Sequence, residues 1–568
     1  MPKSKASHKG TAATGARKPQ RPTNSRNALR SVSMAVAVIT LAALYSHVSQ
    51  LTLSPVYGSV PASSFHPQGI VIARLIGWLG MGLIKRLCFE IPANLLPVLA
   101  WTIPTIQYSL FQQSSQLGPV FGPLVTELCT LYPLVALSTT SAAIFLEELD
   151  LSHWPRLIAE HGKFLGSYVL FTAVVKVTGR SLLKYIGSSI VTTRTGLQFA
   201  TAALYSICIP SKWLLFSIPS IIFSVGFNIH VPPGLTAARL NSSLQAEGYV
   251  LLHRQDSLTG YISVLENTKL NFRVMRCDHS LLGGEWIPPP DMPKQRVRDP
   301  IYAVFTMLEA VRLINTSTGE RRNAGPGTNA LVIGLGIGTT PAAFVAHGIN
   351  TTVVEIDPVV HQLATQYFDF PSEATTVIED AVAFVKRARS ADSAPRYNFI
   401  VHDVFTGGVE PVELFTLDFM QGLSDLLRDD GVVAINYAGD LDLPSAGLVV
   451  WTILSVFPSC RIFRENEPAA DPANDFTNMV IFCKKTAEFP LEFREPTKAD
   501  YLDSMSRESY MLPKFEIERT FFETTKSQNE ELLENRQRHQ LQYWHSQSAI
   551  GHWKIMRTVL PASVWENW

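Results

Sequence analysis

The run Asn329-Ala330-Leu331-Val332-Ile333-Gly334-Leu335-Gly336-Ile337-Gly338 joins a short apolar strand to a glycine-rich turn, and a helix is expected at 340–347. Gly334, Gly336 and Gly338 let the backbone approach a ligand closely, and the helix N-terminus behind them attracts polar or anionic groups. The next strand ends in Glu355-Ile356-Asp357. An acid there, about 20 residues after the glycine turn, can accept hydrogen bonds from ribose hydroxyls. Val377-Ile378-Glu379-Asp380 closes a third strand with an acid suited to an adenine amino group, and a fourth strand, 398–402, ends at Asp403. The spacing is GxGxG rather than GxGxxG. That favours an S-adenosylmethionine-type nucleoside, whose methionine-derived tail replaces a pyrophosphate.

These groups require parallel strands with helical crossovers, because such units gather ligand groups at the carboxyl ends of the strands. The alternation continues with a helix near 417–427, Asp430-Gly431 and a strand at 432–436. Ahead of it, 249–253, 260–266 and 272–276 read as short strands, and 301–314 has helical spacing.

The first 246 residues are different. They hold 19 Lys+Arg against six acids, whereas the remainder holds 29 against 42, so the zero net charge is the sum of +13 and −13. Residues 1–30 carry eight basic residues and no acid, and read as a disordered tail. Residues 33–53 are uncharged and long enough to cross a bilayer. Further candidates at 68–84, 91–111, 118–145, 163–179 and 198–227 bring the expectation to about six spans, five to seven in all, the last being one kinked helix or two short ones. The positive-inside rule keeps the tail cytosolic, and an even count returns the following domain to the cytosol. Arg180, Lys184 and Arg194 dissent from that scheme. Glu127 and Lys176 lie in apolar stretches, where ionisable groups are either functional or paired. The acidic second half argues against nucleic acid. The six cysteines are scattered singly and read as reduced thiols, with no metal-ligand spacing. Sequons at Asn241, Asn315 and Asn350 offer a topology test.

Residues 245–485 resemble the spermidine/spermine synthase family, the polyamine aminopropyltransferases, in a membrane-fused branch. The anchors are Val332–Gly338, Glu355-Ile356-Asp357, Glu379-Asp380 and Val401-His402-Asp403. The resemblance implies decarboxylated S-adenosylmethionine as donor and a polyamine as acceptor. It gives Glu355 the ribose, Asp380 the adenine, and Asp403 the reacting amine as base or orienter. Tyr302 falls where the family has a tyrosine near the acceptor. The chain departs from the family where Asp403-Val404-Phe405-Thr406-Gly407 lacks the second carboxylate and Tyr302-Ala303-Val304 lacks a glutamate. Asp278-His279-Ser280 keeps an aspartate of the family.

The resulting expectation is an N-terminal α-helical membrane domain followed by an α/β Rossmann-like S-adenosylmethionine-type domain, itself preceded by a small β subdomain. Its boundaries are a tail at 1–31, a transmembrane domain at 32–228, the β subdomain at 238–300, the Rossmann-like domain at 301–487 and an aromatic-rich extension at 488–568. The expected activity is aminopropyl transfer, with catalytic Asp403 and Tyr302, a nucleoside held by Gly334, Gly336, Gly338, Glu355 and Asp380, and no metal. The expected partners are membrane lipid and a small cationic amine, with no nucleic acid, and the family implies a homodimer. Two alternatives stand beside it: an S-adenosylmethionine-dependent methyltransferase, and a non-catalytic nucleoside-binding membrane scaffold.

Overall fold

A computed structural model describes residues 25–568 apart from 88–91, 148, 233, 292–294, 316–326, 392–394, 406–407, 469–475, 489 and 523–537. The expected tail and the Thr406-Gly407 pair lie largely outside the described residues. The N-terminal region is helical: α1 (Ser25–Tyr57), α2 (Ser59–Ser63), α3 (His66–Leu79), α4 (Met81–Leu87), α5 (Leu96–Phe111), α6 (Ser114–Cys129), α7 (Leu131–Phe145), α8 (Arg156–Leu182), α9 (Arg194–Cys208) and α10 (Ile218–Gly226). Among the described residues, 28–57 and 114–145 are long and apolar enough to cross a bilayer. The other expected spans are shorter, broken or less apolar. Pro104 lies inside α5, and Gly118 takes a non-helical conformation within α6.

Glu127, one of the two ionisable groups flagged in apolar sequence, is fully enclosed. It accepts hydrogen bonds from Ser49 (2.8 Å), Gln50 (3.0 Å) and Tyr132 (2.8 Å) and pairs with His66 Nδ1 at 2.7 Å. The carboxylate thereby ties α1, α3 and α7 together, as a buried polar group must if it is not to remain unsatisfied. Lys176, by contrast, is exposed.

At about 1.5 Å per residue, α1 is about 50 Å long. The rest of the protein docks at its C-terminal end: Trp553 Nε1 donates to Val56 O (3.0 Å), and Arg276 donates to Pro55 O. Arg194, the first residue of α9, is buried against Asp256 and Asp278 of the β subdomain, and its Nε donates to Leu51 O at 2.7 Å. Arg194 is thus an internal ion-pair partner rather than a topology signal.

After α11 (Gly234–Ala246), a four-stranded antiparallel sheet follows in the order β1 (Tyr249–Asp256), β2 (Tyr261–Asn267), β3 (Phe272–Cys277) and β4 (Ser280–Trp286). The main sheet comprises β5 (Asn329–Ile333), β6 (Asn350–Glu355), β7 (Thr375–Ile378), β8 (Tyr397–His402), β9 (Leu427–Asp440), β10 (Ser459–Arg464), β11 (Phe476–Lys484) and β12 (Phe515–Ile517). Its order is β12-β10-β11-β9-β8-β5-β6-β7, with β5–β9 parallel and β10–β12 antiparallel. The strand order reverses between β5 and β8, which opens a crevice at their carboxyl ends. Cys460 and Cys483 are register partners on β10 and β11 and form a disulfide. The expectation of reduced thiols fails for these two because residues 23 apart in sequence face each other across an antiparallel pair.

Candidate active site

A cavity of about 890 Å³ occupies this crevice. Gly334 and Gly336 form its floor in left-handed conformations, with φ of 90° and 54°. A Cβ on Gly334 would lie 2.1 Å from Asp403 O, and one on Gly336 would lie 2.4 Å from Leu282 O. Only glycine lets β5, the β8 loop and the β subdomain converge. Gly338, with φ of 89°, caps the helix Thr339–Ala346. The Thr340 hydroxyl on its first turn lines the cavity, is buried and has no partner.

Glu355 ends β6 beside this turn. Its carboxylate accepts from the backbone N–H of Leu335 (3.0 Å) and Asp357 (2.8 Å), which fixes its orientation and leaves lone pairs toward the cavity. Burial pushes its pKa up to about 7, against those two hydrogen bonds. Asp380 also lines the cavity, where Oδ1 accepts from Ala383 N–H (3.0 Å) and caps the helix Ala381–Arg389. Exposed Ile356 adds an apolar surface suited to a nucleobase. The nucleoside residues read from sequence therefore converge on one wall.

Asp403, after β8, faces the same cavity. It accepts from Asn436 Nδ2 at 2.9 Å. Burial pushes its pKa up to about 6, and the Asn436 hydrogen bond opposes that rise. Asn436 Oδ1 is buried and without a partner. Glu410 is buried near Asp403, and its Oε1 accepts from Ala438 N–H at 2.6 Å. Burial, and after it the charge of Asp403, pushes the Glu410 carboxyl well above the ordinary carboxylate range. Tyr302 lines the cavity with an unpartnered hydroxyl, and burial raises its phenol further out of reach of ionisation. It can donate a hydrogen bond but cannot serve as a base near neutrality. Asp278 points away to Arg194 and Tyr261 N–H, so it docks elements rather than substrate.

Several lining residues carry no motif. Phe405, Phe476 and His552 form an aromatic wall, with ring centroids at 4.8 Å (Phe405–His552) and 5.7 Å (Phe476–His552). Burial drives His552 down to about 3, so it is neutral. Glu465 and Asn478 lie on the same side, and Ser59 of α2 closes the rim. Phe405 belongs to the run that follows Asp403, whereas no short-range signal marks Phe476, His552, Glu465, Asn478 or Ser59, each of which reaches the site through long-range packing. Asp357 was read only as part of a strand end. It accepts from the Ser257 hydroxyl (2.6 Å) and the Thr259 hydroxyl (2.6 Å), and so fastens the β subdomain over the nucleoside wall. Among the described residues no His/Cys/Asp/Glu group could hold a metal.

Residues 322–439 match the spermine/spermidine synthase domain family. A polyamine aminopropyltransferase of Vibrio vulnificus is 40% identical over 199 residues, 33% of this chain and 58% of that protein. A probable spermidine synthase from Corynebacterium glutamicum aligns over 49% of this chain and 92% of its own, with 16% identity and a TM-score of 0.35. An N-terminal histidine N-methyltransferase of Emericella nidulans is 49% identical over 551 residues, covering 96% of this chain and 98% of that protein.

The whole-length match overturns the assignment to polyamine aminopropyltransferases and with it aminopropyl transfer as the activity. The synthase-like segment is one part of a methyltransferase-type transferase. The departures are consistent with this correction. The second carboxylate of the family's post-strand motif is absent here, and Phe405, Phe476 and His552 form an aromatic wall in the cavity. The chain belongs to the family of N-terminal histidine N-methyltransferases.

Proposed function

We propose that this protein transfers the methyl group of S-adenosylmethionine to a ring nitrogen of a histidine at a peptide N-terminus. The carrying observation is the near-complete match to the Emericella nidulans enzyme, combined with the intact nucleoside wall. The donor carries a carboxylate on its methionine tail, for which the unpartnered Thr340 hydroxyl at a helix N-terminus is a suitable donor. In this reading Gly334 and Gly336 give the tail room, Glu355 takes the ribose, and Asp380 with Ile356 takes the adenine, a reading supported by their lining one cavity.

A neutral imidazole, with an ordinary pKa of about 6.5, offers a lone pair at neutral pH, whereas an α-ammonium must first lose a proton. In the transfer the ring nitrogen forms a bond to the methyl carbon and the carbon–sulfur bond breaks. The electron pair stays on sulfur, which becomes a neutral thioether. Asp403, oriented by Asn436, accepts a hydrogen bond from the other ring N–H and takes that proton as the ring becomes cationic. The test is mass spectrometry of a His-initiated peptide incubated with the full-length protein and S-adenosylmethionine. One added methyl on the ring is expected. Intact donor binding without methylation would overturn the reading.

We also propose that the helical region sits in a bilayer, with the α/β domain on the side opposite the basic N-terminal segment. Outward-facing Leu75, Ile76, Val169, Val177, Ile207 and Phe216 support the first part. Three observations support the second: docking at the C-terminal end of α1, the Cys460–Cys483 disulfide, and the sequons. Glycosidase-sensitive glycans on Asn241 or on an engineered surface sequon in the α/β domain are expected. Labelling of that domain by a cytosolic reagent in intact cells would overturn this orientation.

A further inference from the structure

The acceptor end of the cavity holds a carboxylate that the transfer step does not use. Glu465 follows β10, and both its oxygens are fixed: Oε1 accepts from Val304 N–H at 2.9 Å and Oε2 from Asn478 Nδ2 at 2.6 Å. Its backbone N–H donates to Asn478 O at 3.0 Å, so β11 fixes the residue on two levels. Among the described residues it forms no ion pair. It lines the cavity beside Tyr302, whose hydroxyl is buried and lacks a partner. A carboxylate aligned by two hydrogen bonds in a partly dry cleft is a receptor for a cation rather than a solvated surface charge.

The sheet register sets its distance from the reacting end. Asn436, which holds Asp403, lies opposite Val480, while Ala438 lies opposite Asn478. Residues two apart on a strand share a face and stand about 7 Å apart. Asn436 and Asn478 therefore project into one cavity about one side-chain pair apart, and each orients a carboxylate: Asp403 at one station and Glu465 at the other. A single histidine residue can bridge two such stations, with its ring at the first and its α-nitrogen at the second.

Resting on the histidine reading above, we propose that Glu465, aligned by Asn478 and assisted by the Tyr302 hydroxyl, binds the free α-ammonium of the acceptor peptide. The ring is thereby placed at Asp403, and histidines within a chain are rejected. An internal histidine has a neutral amide where the ammonium would sit, and burying Glu465 against it leaves the carboxylate without a counter-charge.

The test compares three short peptides on the full-length protein: one with a free N-terminal histidine, its Nα-acetyl form and its desamino form. Binding is followed by calorimetry and methylation by mass spectrometry. Wild type is expected to show a KM at least about tenfold lower for the free peptide, as a charge-assisted pair would give, with a similar kcat at saturation. The preference should fade above about pH 8, where an α-ammonium deprotonates. Glu465→Gln should erase the preference while S-adenosylmethionine binding stays intact. Asn478→Ala should weaken it, which provides a second variant if the first does not fold. Equal KM for the free and acetylated peptides in wild type would overturn the site even if methylation occurs. Tight, amine-dependent binding without methylation would overturn the activity and leave the site standing, and absence of binding by all three would overturn both.

Discussion

Asn436 donates its side-chain amide to Asp403 across 2.9 Å, and thereby joins the end of β8 to the middle of β9 at the point where the sheet order reverses. The carboxylate cannot rotate away without breaking this bond, and its second oxygen is left for the acceptor. Burial keeps its pKa near 6, close to that of an imidazole, which is a suitable match for proton transfer near neutrality.

Asp403→Asn should retain S-adenosylmethionine binding and lower kcat by roughly 10²–10⁴, the usual range for a general base. Wild-type kcat/KM should rise with pH through about 6 as the carboxylate ionises and the substrate imidazole loses its proton, and the variant should keep only the imidazole's limb near 6.5. Stability has the opposite sign. A carboxyl raised on folding binds more protons folded than unfolded, so its contribution is present below about pH 4 and lost as pH rises through 6. Asp403→Asn should therefore gain on the order of 2 kcal/mol over wild type at pH 7 relative to pH 4, measured by thermal unfolding at both values.

Glu355→Ala should abolish donor binding in calorimetry. It also strands the N–H groups of Leu335 and Asp357, at a cost of about 1–3 kcal/mol. Glu355→Gln keeps one of those acceptors, so the variant should fold better yet still bind donor weakly. Full donor affinity in either variant would remove the ribose assignment.

Arg194→Met leaves Asp256 and Asp278 buried without their cation, and should cost about 3–5 kcal/mol. Adding Asp256→Asn should recover part of that loss. Because Ser59 and His552 line the cavity at the docking face, the single variant should also lose activity at temperatures where the α/β domain remains folded.

Reducing Cys460–Cys483, or replacing Cys483 by Ser, should lower stability by about 2–4 kcal/mol for a loop of this length. Donor affinity should be little changed, since the bridge lies away from the cavity-lining residues. Thiol labelling of the unfolded, unreduced protein should report these two cysteines as protected.

The glycine turn, the acids at successive strand ends and the helical N-terminal region were legible because each is local. A strand-to-glycine transition fixes a turn, an acid at a strand end must face the crevice, and uncharged runs of this length avoid water. The missed residues follow the same rule in reverse. Glu465 and Asn478 come from antiparallel strands beyond the parallel core, and His552 from a helix that returns across the cavity. Glu410 and Asn436 become significant only beside Asp403.

The sequence by itself determined a nucleoside-type α/β fold attached to an apolar helical region, and named residues that gather on one wall of the cavity. Only the tertiary structure decided what faces that wall. It placed an aromatic side and two aligned carboxylates around the cavity and buried Glu410 near Asp403. It also docked the β subdomain and the C-terminal helix against the C-terminal end of α1. The physical reason is common to both: the charge state of a carboxylate and the side of a helix on which a domain docks depend on which distant groups remove water from it, and spacing along the chain does not encode that.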